Sequence, residues 1–374
     1  MKQGSAVHKV LEEQVHREVK VEVVTREDAF GLRMWNVIQG LRTLRVTGMT
    51  RELEVWGFVD GELINGIIDE ISTTCPDEEA EEKMLEAEAL AKEGGNGSGS
   101  KKKKKSVSLE SNQRTLQNFL TSSQNASILE SNSSSPWIGS SHERPRTFYI
   151  TDIKTRQSKS LPAEGSQSKP VYIQLMLYRR LLSALAANEV EAEKVFTRYR
   201  LDSTATFSDT FIAEVSQLDF QDYTPSEEED QPPFQSSQDS TTELLAHNTL
   251  PLLWAHMISE FALTIPSPTT TNRSPSTQSP ISPLMTAQYR TPSSGALIGV
   301  KPFTYNPDII EPYIEDELKW WRGERATKGV DIEDAFKCRF CEFAEGCTWR
   351  KEKIEEATQK ARLRKGVGRR RSEV

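Results

Sequence analysis

The chain has 374 residues, a formal net charge of -8, 36% hydrophobic residues and a mean hydropathy of -0.58. That apolar content is too low for uniform packing at this length, and the acidic balance excludes a protein that coats nucleic acid by global charge, though not an enzyme with a local basic channel. No apolar run reaches the roughly 18 residues a membrane helix needs, so a soluble chain with no membrane partner is expected.

The start, "MKQGSAVHKVLEEQVHREV", enters helical periodicity at once (Val7, Leu11, Val15, Val19), with no apolar h-region and no Arg/Ser-rich leader. "VKVEVVT" then alternates as a short strand. Thr25, with Asp28 three residues on, opens a predicted helix that carries Phe30, Met34, Val37, Ile38 and Leu41 on one face and stops at Gly48. "TRELEVWGFVDGELINGIIDEIS" reads as a β-hairpin turning at Asp60-Gly61 and ending at Asp69. Residues 75–147 change composition to an acidic helix-like run, five lysines and a Ser/Asn-rich tract, expected to be a disordered insert. Loop closure costs only about 0.6 kcal/mol per doubling of length, so the hairpin and the strand "TFYITDIKT" are expected to pair directly across it.

Within 148–220, "PVYIQLMLYRRLLSALAA" is a predicted helix with Pro170 in its first turn, and 188–201 continue it or form a short second element. An acidic insert at 221–242 and a Ser/Pro-rich one at 266–295 flank a helix at 243–265. In 296–350 come a strand, "GALIGVKPFTYN", a helix, "PDIIEPYIEDELKWWRGE", and a cysteine knuckle; residues 351–374 form a basic tail. With 1–74 as the first ordered segment, the predicted class is α/β.

Asp152 and Lys154 sit two apart and therefore on one strand face, and Asp69 closes the preceding predicted strand. Two carboxylates and an ammonium at one end of a sheet suit Mg²⁺, which takes one or two carboxylates plus phosphate oxygens and water. The lysine would stabilise charge on a phosphate or help deprotonate the attacking water. Taken alone, Asp-x-Lys is most often an ordinary charged strand end; Asp69 carries more weight because it follows "NGII", an apolar pair expected to be buried. Gln174 and Tyr178 lie at i and i+4 on the next helix, as do His8 and Glu12 on the first, where a histidine can add a metal ligand. A lone helical histidine is more often plain surface.

Cys338, Cys341 and Cys347 give C-x2-C-x5-C, with Cys75 far away. Clustered thiols without a secretory signal read as metal ligands; with no second C-x2-C and no following histidine, a [4Fe-4S] cluster ranks ahead of zinc, and a disulfide last.

Together these residues resemble the exonuclease V family, a branch of the PD-(D/E)XK nuclease superfamily akin to the RecB-type nuclease domain. The matching stretches are "GSAVHKVLE", "TREDAFGLRMWNVIQGL", "TRELEVWG", "NGIIDEI", "YITDIKTR", "QLMLYRRLL" and "LKWWRGERATKGVDIEDAFKCRFCEFAEGCTWR". The resemblance implies a restriction-endonuclease-like core with a central mixed sheet flanked by helices and an Fe-S knuckle near the C-terminus. Asp69, Asp152 and His8 become Mg²⁺ ligands, Lys154 the catalytic lysine, and Gln174 with Tyr178 the helix motif beside the DNA. It also implies Mg²⁺-dependent degradation of single-stranded DNA from its ends and, for fungal members, mitochondrial genome maintenance. The family's cluster uses one cysteine upstream of the first-helix histidine plus three near the C-terminus. Here none precedes His8, so the fourth ligand is missing or Cys75, and the chain is expected to lack its natural beginning together with a mitochondrial leader.

Arg156, Lys159, Arg179 and Arg180 flank the proposed site as candidate DNA contacts, and "RLRKGVGRRR" would grip DNA, act as a nuclear signal or simply be solvated. Trp320 and Trp321 are expected to pack the knuckle rather than stack bases. The leading expectation is a monomeric exonuclease acting on single-stranded DNA, with a single-strand-binding protein as the candidate partner. The alternatives are a cluster-bearing scaffold with a dead site and a structure-specific endonuclease of the same fold.

Overall fold

The computed structural model describes residues 7, 11, 21–94, 146–165, 167–221, 240–266 and 279–371. The chain divides into two compact units, Met1–Met84 with Thr147–Val374, and Leu85–Arg146. Of the second, the described residues are the latter part of one acidic helix and Arg146.

Helix α1 (Arg26–Thr47) starts where the sequence says it should. Thr25 accepts from the Asp28 amide while the Asp28 carboxylate accepts from the Thr25 amide, a full capping box; Gly48, at φ 80°, closes the other end in the left-handed region where glycine pays no Cβ penalty. Asp28 also accepts from the Ser208 amide and hydroxyl, tying the cap to a distant helix start. Burial would raise its pKa, but the hydrogen bonds from Ser208 and Thr25 outweigh burial and lower it. Asp28→Ala is therefore expected to cost about 2–3 kcal/mol in a urea-unfolding measurement, from a lost cap and a stranded buried amide.

β1 (Met49–Val59) and β2 (Glu62–Ser72) form the predicted hairpin, and Asp60 and Gly61, both at positive φ, give the primed turn that matches strand twist. β3 (Phe148–Thr155) pairs directly with β2 as expected, and the pairing is antiparallel. β4 (Ile281–Arg290) runs parallel to β3, and β5 (Leu297–Thr304) antiparallel to β4. The result is a mixed five-stranded sheet in the order β1-β2-β3-β4-β5. The parallel pair needs a long crossover, supplied here by helices. α2 (Glu78–Gly94) precedes β3. The crossover holds α3 (Lys169–Ala186), α4 (Ala192–Tyr199), α5 (Asp209–Gln221), α6 (Ser240–Ala246) and α7 (Leu250–Thr264). α8 (Pro307–Trp321), a 3₁₀ turn (Ile332–Arg339) and α9 (Thr348–Arg371) follow the sheet. This α/β architecture is the expected one. Phe30, Trp56, Phe196 and Trp254 interlock with ring centroids 5.7–6.0 Å apart, joining α1, β1, α4 and α7.

Several expectations need correction. Residues 281–290, taken as part of a 266–295 insert, are a central strand; Pro283 sits where the β3–β4 register shifts, so its missing N–H falls at a break in the ladder. β2 and β3 run past Asp69 and Asp152, which therefore lie inside strands rather than at their ends. Of the "NGII" pair, Ile68 is buried and Ile67 exposed. Residues 21–24 of the expected strand "VKVEVVT" are irregular, with Val23 and Val24 exposed.

The insert from Cys75 begins with helix α2, whose Glu81 accepts from the Tyr149 hydroxyl at 2.5 Å. The predicted single helix at 243–265 is two, because Thr249 and Pro251 restart the chain after Asn248. α5 was not expected, although Ser208 caps it through the Phe211 amide. The basic tail is helical to Arg371. Trp320 and Trp321 are exposed rather than packed on the knuckle. The Lys and Ser/Asn tracts and the acidic stretch 222–239 lie outside the described residues.

Candidate active site

The β2–β3 ladder ends at the Glu70–Thr151 pair, with Asp69 and Asp152 the next residues on their strands, and Asp152 shares with Lys154 the face that reaches Gln174 of α3. The Ile153 amide donates to Asp69 Oδ2 at 2.6 Å, which brings the Asp69 carboxylate against the backbone between Asp152 and Lys154. Lys154 Nζ donates to Asp152 Oδ1 at 2.8 Å and to Gln174 Oε1 at 3.3 Å, and Gln174 Nε2 donates to the Tyr178 hydroxyl at 2.9 Å. The structure thus brings together Asp69, Asp152, Lys154, Gln174 and Tyr178.

Asp152 is only 1% exposed. Burying a carboxylate is expensive unless positive charge accompanies it, and in this group two carboxylates stand against one lysine. Burial alone would lower the Lys154 pKa; the charge and hydrogen bond of Asp152, with the charge of Asp69, outweigh it and raise it, so the side chain is an ammonium. Tyr178 is pushed up by burial first, then by Asp69 and Asp152, so it stays a phenol.

Gly66 on β2 lets α3 come close: a Cβ there would lie 2.4 Å from Tyr178 Cε1. On the sheet's other face Val7 and Leu11, one helical turn apart, pack on Ile153. Arg51 donates to the Leu11 carbonyl at 2.6 Å and pairs with Glu70 at 2.9 Å. His8 and Glu12 lie outside the described residues.

The other predicted residues divide. Arg156 continues from β3 and is half-buried, and Lys159 is exposed. Arg179 donates to the Ile281 and Ser282 carbonyls and lies 4.6 Å from the Tyr305 ring centroid, and Arg180 pairs with Glu311 at 2.8 Å, so both are engaged by protein. All four cysteines are free thiols. Cys75 follows β2 and neighbours Glu81 and Tyr149 at the start of β3. The knuckle instead neighbours the loop after β3, where a Cβ on Gly165 would lie 3.4 Å from Glu333.

One group that the sequence reading missed gathers metal-type ligands: Glu243, His256 and Glu260, within 4.8 Å of one another. All three side chains are already engaged in ion pairs with protein partners. Arg42 binds Glu243 and Glu260, Arg45 binds Glu260 at 2.9 Å, and His256 contacts Glu243 at 2.5 Å. Two arginines balance two carboxylates, and we read a structural ion-pair network. The i, i+3 spacing of Arg42 with Arg45 and the i, i+4 spacing of His256 with Glu260 were its traces in sequence.

The chain is similar to known proteins along most of its length. The profile of a family described as Exonuclease V, a 5′ deoxyribonuclease, matches residues 1–350. A protein named Exonuclease V from Danio rerio is 21% identical over 358 residues, covering 96% of this chain and 64% of that protein. A Candida albicans protein named Exonuclease V, mitochondrial, is 30% identical over 80 residues, 21% of this chain and 13% of its own length. The chain thus spans less than two thirds of the length of the curated relatives it matches, yet the profile covers nearly all of it: the chain belongs to the exonuclease V family.

Proposed function

We propose that the protein is a Mg²⁺-dependent exonuclease that hydrolyses single-stranded DNA from its ends, on a PD-(D/E)XK-type core. The observation that carries the reading is the hydrogen bond from the Ile153 amide to Asp69, which sets two carboxylates and Lys154 side by side. The donor set fits a hard divalent cation: two aspartates, one deeply buried, against a single ammonium. Asp69 and Asp152 would hold it, with His8 as a further candidate ligand. When bound, such a cation polarises a phosphodiester and makes its water more acidic.

Lys154 directs its ammonium at the same place and would stabilise charge gathering on the scissile phosphate. Gln174 fixes Lys154 through its carbonyl, and Tyr178 fixes Gln174. Arg156 and Lys159 are the proposed DNA contacts that remain after Arg179 and Arg180 are seen to be engaged elsewhere. The family description supports attack from the 5′ end. Action in mitochondria follows the name of the Candida relative. A monomer acting beside a single-strand-binding protein completes the reading.

Cys338, Cys341 and Cys347 offer three thiolates to an iron-sulfur cluster of structural role. The only other cysteine of the sequence is Cys75, which lies beside Glu81 and Tyr149 and is the one candidate within this chain for a fourth thiolate. No step of cleavage is routed through the cluster.

The test is digestion of linear and circular single strands, with Mg²⁺ and with chelator. Linear strands should disappear only with Mg²⁺ while circles persist, and a 5′ block should protect more than a 3′ block. Digestion of circles at the same rate would replace the exonuclease with an endonuclease. Gly66→Ala, which drives Tyr178 off Gln174, is expected to lower kcat by about 10- to 100-fold in steady-state cleavage assays with the thermal melt little changed.

A further inference from the structure

Tyr289 on β4 is the register partner of Lys154 on β3, and Ala287 that of Asp152. Partners on adjacent strands project to the same face, so the Tyr289 ring stands beside Lys154 on the α3 side of the sheet, next to the row that holds Asp152. Its partner on β5 is Gly299, which contributes no side chain. The tyrosine is 4% exposed and part of the main core, yet its hydroxyl has no hydrogen-bond partner among the described residues. Buried phenols ordinarily find one. Burial first, then the charge of Asp152, raises its pKa, so it remains a donor. A ring needed only for packing would be served as well by phenylalanine, which carries no polar atom to strand.

We propose that Tyr289 is a positioning residue of the metal site, its O–H donating to a water in the shell of the divalent cation held by Asp69 and Asp152 and fixing that water beside Lys154. This rests on the reading of Asp69 and Asp152 given above. Donors of this outer kind orient what the ligands hold, and their removal typically weakens metal affinity by about 10- to 100-fold.

The experiment compares the full-length wild type, Tyr289→Phe and Asp152→Ala. Mn²⁺ affinity is measured by titration calorimetry, thermal melting without metal, and single-strand cleavage across a metal series. Tyr289→Phe should weaken Mn²⁺ binding about 10-fold, shift the metal dependence of cleavage to match, and leave the metal-free melting temperature unchanged or raised, since it deletes an unsatisfied polar atom. A merely structural tyrosine would leave the Mn²⁺ affinity of Tyr289→Phe at the wild-type value. Wild-type Mn²⁺ affinity in Tyr289→Phe, with binding lost in Asp152→Ala, would overturn the role of Tyr289 alone. Wild-type affinity in both variants would overturn the aspartate site and this inference with it.

Discussion

Replacing Asp152 by alanine is expected to abolish strand cleavage, lowering kcat by about 10²–10³-fold or more, while DNA affinity stays within a few-fold of wild type. The carboxylate sits where three features converge. It is 1% exposed, its Oδ1 takes the Lys154 ammonium at 2.8 Å, and the amide of the next residue binds Asp69. Removing it takes away a ligand and frees Lys154 to drift from Gln174, so both the cation and the charge-stabilising amine lose their places. DNA affinity is carried by backbone charge and stacking, which this substitution does not touch. Asp152→Asn, close to isosteric, separates chemistry from packing and should be as inactive as the alanine variant. Filter binding of a labelled single strand and a cleavage time course check both halves. Unchanged cleavage would favour a different catalytic centre, and lost DNA binding with lost cleavage would point to misfolding.

The second large effect lies away from the site. Arg42→Met is expected to cost about 3 kcal/mol of unfolding free energy, since it leaves Glu243 and Glu260, both buried, short of a partner. The figure is at the low end for a buried pair because Arg42 is itself partly exposed, and because Arg45 and His256 keep some compensation. Burial would raise the Glu243 pKa, but hydrogen bonds from His256 and Arg42, with their charges, hold it at about 2. Its folded value therefore lies below the unfolded one. The stabilisation is complete above the ordinary carboxylate range and is lost as pH falls towards 2. Urea midpoints taken from pH 7 down to 3 should show that loss in wild type and a flatter profile in Arg42→Met; parallel profiles would mean the network contributes nothing.

The site was legible from sequence because its signals are periodic. Asp152 and Lys154 share a strand face by the period of two, and Gln174 and Tyr178 share a helix face by i, i+4. The helix from Thr25 to Gly48 announced both its ends through side chains that satisfy its own backbone. What stayed hidden depends on partners remote in sequence. β4 pairs with a strand more than 120 residues upstream, and its Pro283 and Ser/Pro-rich approach imitate a loop, so Tyr289 went unread with it. Strand ends were placed short at Asp69 because an apolar run does not reveal how far a neighbour extends the ladder. The Arg42 network joins residues more than 200 apart, each of which looks like ordinary helix-surface charge until α1, α6 and α7 meet.

The most direct measurement is a crystal structure with Mn²⁺, its position fixed by anomalous scattering. The account predicts a peak coordinated by carboxylate oxygens of both Asp69 and Asp152, within reach of Lys154. A peak confined to Glu243, His256 and Glu260, or none between the two aspartates at saturating Mn²⁺, would contradict it.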